Sequence, residues 1–171
     1  MIANKSNRKN KLDLMLRENR ANKMVEPLKR KIIEETSIKK IEILSLEKCD
    51  ILWKKFCSLF KNAQVRKEFK IENQLDNGGF SKLLAKVPTS KESYTGYMFF
   101  SQFKDVGAFR INTRLFLRNA NNILKIDGDS IYMISEDSEN GIMIDHYESD
   151  NGVGWTYEVT ILGKQWVQNF K

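Results

Sequence analysis

The sequence predicts an α+β fold: one mostly antiparallel sheet of about five strands with helices on one side, preceded by a basic helical arm. Three observations lead there. Up to Pro88 the apolar residues recur mainly at helical spacing, and after it mainly at strand spacing. The strand-like runs follow one another across short turns, which favours antiparallel pairing. The first forty residues hold 12 Lys/Arg against 5 Asp/Glu and carry few large apolar side chains. The expected division is therefore a basic helical arm over 1–40 and a single α+β domain over 41–171.

Composition supports a folded domain. The chain has 171 residues, 41% of them hydrophobic, with ten Phe, five Tyr and three Trp to fill a core. Two Pro and nine Gly argue against a linker-dominated chain. No apolar run is long enough to span a bilayer, and the polar start Met1–Lys11 lacks the apolar stretch of a secretory signal. The expectation is a cytoplasmic protein with no membrane partner.

Each element follows from local pattern. Met1–Lys11 is polar and basic, so it is expected to be disordered when free. Leu12–Val25 reads as helix, Pro27 breaks or restarts it, and Leu28–Glu35 resumes. Ser45 is a candidate N-cap for a helix over about 46–62, where Cys49, Leu52, Trp53, Phe56, Leu59 and Phe60 form an apolar stripe. Residues 63–76 read as polar, with helix around Val65 and Phe69, and Asn77-Gly78-Gly79 as a break. Phe80–Val87 reads as a short helix stopped by Pro88.

Tyr94–Phe103 is an aromatic run expected as a central strand, turned by Lys104-Asp105 into a strand over Val106–Ile111. Asn112 or Thr113 caps a helix over about 113–125, and Asp127-Gly128 turns the chain. A meander follows: Ser130–Ser135, Ile142–Glu148 and Val153–Leu162, the last alternating Val153, Trp155, Tyr157, Val159 and Ile161 on one face. Gly163 stops it, and a short helix carries Trp166, Val167 and Phe170.

The net charge of +7 is polarised. Residues 126–171 hold 2 Lys/Arg against 9 Asp/Glu, a net of −7 that opposes the basic front. A basic front attracts phosphates or an acidic partner, and an acidic end suits a basic one. Cys49 and Cys57 lie eight residues apart on one predicted helix, roughly 12 Å along its axis, which is too far for a disulfide. With one His they cannot make a four-ligand zinc site.

Four constellations are candidates for chemistry. Asp145 and Glu158 lie on neighbouring predicted strands, as metal-holding carboxylates do, but Glu158 is followed by Val159 and Thr160, without the Glu-x-Lys of the common metal-dependent nuclease core. The acidic residues between Asp127 and Glu158 read first as a solvated surface and next as a docking face for a basic protein. Arg114 and Arg118 share a helix face and suit phosphates or carboxylates, or simply solvent. The arm, with Arg8, Lys9, Arg17, Arg20, Lys29, Arg30 and Lys31, is a nucleic-acid candidate carried by charge alone, since no DNA- or RNA-reading motif accompanies it. His146 shares a strand face with Ile142 and Ile144 and reads as packed, with no nucleophile linked to it. No phosphate-binding glycine loop is present. Catalysis, a cofactor and a metal are therefore not expected.

The residues Asp127-Gly128-Asp129-Ser130-Ile131-Tyr132, Asn140-Gly141, Asp145-His146-Tyr147-Glu148 and Trp155-Thr156-Tyr157-Glu158-Val159, leading to Gly163 and Trp166, carry a resemblance. Over Ile123–Trp166 the chain resembles small immunity proteins encoded beside polymorphic toxin genes in Gram-positive bacteria, of the type VII-secreted or contact-dependent kind. The resemblance implies a non-catalytic cytosolic protein that binds a cognate toxin domain. Glu136, Asp137, Glu139, Asp145 and Glu148 would then supply charge, and Tyr147 and Trp155 anchors. The alternative expectation is a nucleic-acid-associated regulator or phage accessory protein that grips phosphates through the arm.

Overall fold

A computed structural model describes residues 2–85, 95–149, 152 and 154–170, with side chains from residue 11 onward. Its elements are α1 (Ile2–Glu35), β1 (Glu42–Ile43), α2 (Leu46–Val65), a 3-10 turn (Lys67–Phe69), β2 (Lys70–Leu75), α3 (Asn77–Ala85), β3 (Thr95–Phe100) and α4 (Phe103–Val106). They continue with β4 (Ala108–Asn112), α5 (Thr113–Arg118), α6 (Ala120–Asp127), β5 (Ser130–Ser135), β6 (Gly141–Glu148), β7 (Trp155–Leu162) and α7 (Lys164–Phe170). The strands form one open sheet in the order β1-β4-β3-β5-β6-β7-β2, with every neighbouring pair antiparallel. Among the described residues no helix is long and apolar enough to cross a membrane.

The α+β class and antiparallel pairing are as expected, and two details differ. The sheet has seven strands instead of about five, because Glu42–Ile43 and Lys70–Leu75 join its two edges. Helices cover both faces instead of one. On one face α1, α3, α5, α6 and α7 pack over Met98, Phe100, Phe109, Ile131, Met133, Ile142, Ile144, Val159 and Ile161. On the other α2 packs over Phe99, Ala108, Ile134 and Leu162. Residues 98–100 alternate between these two cores, so both faces of β3 are buried.

The arm helix is one continuous element from Ile2 to Glu35, running through Pro27, where a break was expected. Proline lacks the amide hydrogen that would reach back to residue 23, and its ring crowds the carbonyl there. Pro27 and Lys23 are both exposed, so water can serve the freed carbonyl. Tertiary packing supplies what propensity does not. Ala21, Val25 and Ile32 are buried in the main core, on the stripe that also carries Leu28. Thr36 ends the helix by donating its hydroxyl to the Ile32 carbonyl (2.6 Å) and accepting the Ile38 amide (3.1 Å). Asn122 donates to the Glu35 carbonyl (2.8 Å), tying that end to α6.

Ser45 caps α2 through the Lys48 amide, and Asn112 caps α5 through the Leu115 amide. Asp76 caps α3 by accepting the Gly79 amide (2.6 Å), so Gly78 and Gly79 begin a helix instead of breaking one. Lys104-Asp105 lies in α4, not in a two-residue turn. The helix expected over 113–125 is two short helices that meet at Asn119. Tyr94, Val153 and the stretch 86–94 with Pro88 lie outside the described residues. Cys49 is buried and Cys57 half-buried, both as free thiols, and burial pushes the Cys49 thiol up to about 12.

Candidate functional site

The pairing registers place the side chains of the α2-facing surface in rows. One row runs Lys70–Leu162–Gly141–Ile134–Tyr97, and the next runs Glu72–Thr160–Met143–Tyr132–Phe99. α2 lies over this end. Trp53 stacks on Phe103 at 4.1 Å and meets Tyr132 edge-on at 5.2 Å, and Phe56 stacks beside it at 5.5 Å. Gly141 is glycine because a Cβ there would lie 3.1 Å from the Phe56 ring.

The third row has a different character. Gln74, Glu158, Asp145 and Ser130 stand side by side across four strands, and Tyr147 and Thr156 flank them one step outward. Glu158 and Gln74 are exposed and Tyr147 is 37% exposed, so this end of the sheet is open to solvent. The Tyr147 hydroxyl donates to Glu158 Oε1 (3.1 Å) and accepts from the Gln74 amide.

The electrostatics of the row are unbalanced. Asp145 and Glu158 are directly opposite on β6 and β7. Like charges facing each other on neighbouring strands destabilise a sheet. Among the described residues neither carboxylate has a cationic partner within 4.0 Å. Burial pushes the Asp145 carboxyl above the ordinary range; the Ser130 hydroxyl offsets part of the rise, and the Asp129 and Glu158 charges add to it. Nearby Asp127 is also raised by burial, while it accepts the Ser130 amide (2.9 Å) and the Ser101 amide and hydroxyl. No cluster of three or more metal-ligating side chains occurs among the described residues.

The residues expected to bind a partner are spread over three places. Asp145 and Tyr147 belong to the open row. Glu148 and Trp155, a register pair, point to the opposite face, where Trp155 lies against His146 at 4.7 Å. Glu136, Asp137 and Glu139 sit in the β5–β6 turn, at the far end of the strands. There Glu136 is held by Arg110 at 2.8 Å, and Asp137 accepts the Ser135 hydroxyl and the Glu139 amide. His146 is half-buried, with Nδ1 2.9 Å from the Asp129 carbonyl.

The arm cations also divide. Arg17 makes a two-pronged contact with Asp50 of α2 (2.9 Å at each nitrogen) and donates to the Lys104 carbonyl. Arg20 meets Asp105 at 3.3 Å. Both therefore clamp α1 to the body. Arg30 and Lys31 are exposed, Lys29 is half-buried, and the side chains of Arg8 and Lys9 lie outside the described residues. Arg110 stays in β4, bridging Glu42 and Glu136, while Arg114 and Arg118 are exposed on α5.

Glu72 and Gln74 escaped sequence reasoning, because a polar stretch with two inward apolar residues does not announce an edge strand. The available signal was the spacing of Ile71 and Leu75, two full strand periods apart. Among family descriptions, curated proteins and solved structures, none matches the chain.

Proposed function

We propose that this chain is a non-catalytic binding protein that docks a basic protein partner on the open end of its sheet, as an immunity protein docks its cognate toxin. The observation that carries the reading is the Asp145–Glu158 pair. Two carboxylates face each other across neighbouring strands, and among the described residues no cation lies within 4.0 Å of either. Such a pair opposes folding of the free chain, and a Lys or Arg delivered from outside relieves it. Tyr147 adds an aromatic contact already oriented by Glu158 and Gln74, which lowers the entropy lost on docking. The row is strand-borne, so its groups hold fixed spacing.

The toxin-binding form of the reading rests on the resemblance and is tested in cells. A toxin domain encoded beside this chain should arrest growth when expressed alone, and co-expression of this chain should restore growth. Restoration by a chain carrying both Asp145→Lys and Glu158→Lys would remove the open row from the account. Failure of the unaltered chain to restore growth, with both proteins soluble, would remove the immunity reading.

A further inference from the structure

The two edges of the sheet are built differently. β1 offers two residues, whereas β2 offers six. The direction of each β2 backbone group follows from the ladder. The Gly163 amide donates to the Phe69 carbonyl (3.0 Å), so pair 69/163 is hydrogen-bonded. Hydrogen-bonded and non-hydrogen-bonded pairs alternate in an antiparallel ladder. Ile71, Asn73 and Leu75 therefore bond to β7 through the registers Ile71↔Ile161, Asn73↔Val159 and Leu75↔Tyr157. The amides and carbonyls of Glu72 and Gln74, and the carbonyl of Lys70, point away from the sheet. The Lys70 amide is taken by the Lys67 carbonyl. Among the described residues nothing pairs with the outward groups of Glu72 and Gln74.

An unpaired strand edge is a template for another strand. Its side chains define what fits. On one face Ile71 and Leu75 are partly buried against the main core, so a neighbouring strand would extend that core with apolar, β-branched residues. On the other face Gln74 leads directly to Glu158 and Asp145, while Glu72 lies one row along, beside Thr160. A side chain added opposite Gln74 would lie about 4.8 Å from the Gln74 strand position and two strand spacings from Glu158's. Cations suit that face. Charged Lys70 and Glu72 discourage a purely apolar strand.

We propose that β2 receives an extended segment of the partner protein as an eighth strand, with Lys or Arg on the open-row face and β-branched apolar residues on the other. The proposal rests on the docking reading above and specifies how the partner is held: main-chain hydrogen bonds to Glu72 and Gln74 supply affinity, and alternate side chains supply selection.

The probe is a soluble ten-residue peptide of alternating lysine and valine, with a peptide of the same composition and clustered lysines as control. Gln74→Pro removes one outward amide without touching the β7 ladder, and an edge position tolerates proline. The alternating peptide should bind the unaltered chain, at least tenfold more tightly than the clustered one. Gln74→Pro should weaken it at least tenfold, and the Glu72 and Gln74 amides should slow in hydrogen exchange on binding. The exchange measurement needs no variant, so it stands even if Gln74→Pro unfolds. Absence of binding, equal affinity for the clustered peptide, or unchanged exchange at Glu72 and Gln74 would overturn strand addition. If Gln74→Pro binds as the unaltered chain does while Glu158→Lys abolishes binding, strand addition falls and docking on the open row stands. If growth rescue also survives Asp145→Lys with Glu158→Lys, both fall.

Discussion

The two ends of the α2-facing sheet surface share the same strands and differ in what covers them. Under α2, Tyr132, Phe99 and Ile134 meet Trp53, Phe56 and Phe103 in a packed aromatic layer. One row further along β5, β6 and β7, the positions hold Ser130, Asp145 and Glu158, polar where the covered row is aromatic, and Glu158 is exposed. Strand geometry does not require the change, since the backbone continues unbroken. The covered end gains stability from burial, while the open end keeps a charge arrangement that costs stability. Residues that weaken a fold locally are where function is expected.

The comparison is broken first at the covered end. Phe56→Ala empties a fully packed ring site and should cost about 3–5 kcal/mol, read as a lowered denaturation midpoint. A cost below about 1 kcal/mol would mean that α2 is not packed as described.

Gly163 should be next in size. It has φ +93, and a Cβ would sit 2.3 Å from the Glu139 carbonyl oxygen. Gly163→Ala should therefore destabilise by roughly 1–3 kcal/mol, and chemical denaturation checks it. This loss measures the junction of β7 with the β5–β6 turn, not the open row.

A smaller effect is expected where Arg17 joins α1 to α2. The Arg17 guanidinium holds the Asp50 carboxyl below its ordinary range. Asp50→Asn should cost about 0.5–1 kcal/mol at neutral pH, the discount reflecting a pair that is partly solvated. A carboxyl lowered on folding stabilises above its unfolded pKa, and that contribution is lost as pH falls through the lowered folded value. The gap between Asp50→Asn and the unaltered chain should therefore close in acid. A gap independent of pH would count against the ion pair.

Asp145 should behave oppositely and weakly. Its carboxyl is raised on folding, so its ionisation opposes the fold once pH exceeds the unfolded value, and fully above the raised one. Asp145→Asn should match the unaltered chain in acid and become the more stable of the two as pH rises. Urea titrations at several pH values would show it. A less stable Asp145→Asn at neutral pH would mean that an internal cation serves the carboxylate.

Much of this was legible in the sequence, and the exceptions have physical causes. The α2 stripe and the alternation of β5 to β7 are strong periodic signals and correspond to elements of the structure. Tyr97-Met98-Phe99-Phe100, apolar at successive positions, already implied burial on both faces of its strand, which helices on one side cannot provide. β2 was missed because its outward residues Lys70, Glu72 and Gln74 outnumber the two inward apolar ones, and its pairing comes from β7, ninety residues away in sequence by roughly that count. The helix through Pro27 was hidden because packing of Ala21, Val25 and Ile32 overrides a local breaker. The charge polarity was plain, but register alone separates Asp145 and Tyr147 from Glu148 and Trp155, since a one-residue step reverses the face.

The central claim is that the open row is kept for a partner and not for the fold. Its most direct test is one chain carrying both Asp145→Lys and Glu158→Lys, followed in two assays. The account predicts a chain that still unfolds in one cooperative transition together with loss of growth rescue against the proposed toxin partner. Full rescue by this chain, or unfolding of it, would contradict the account.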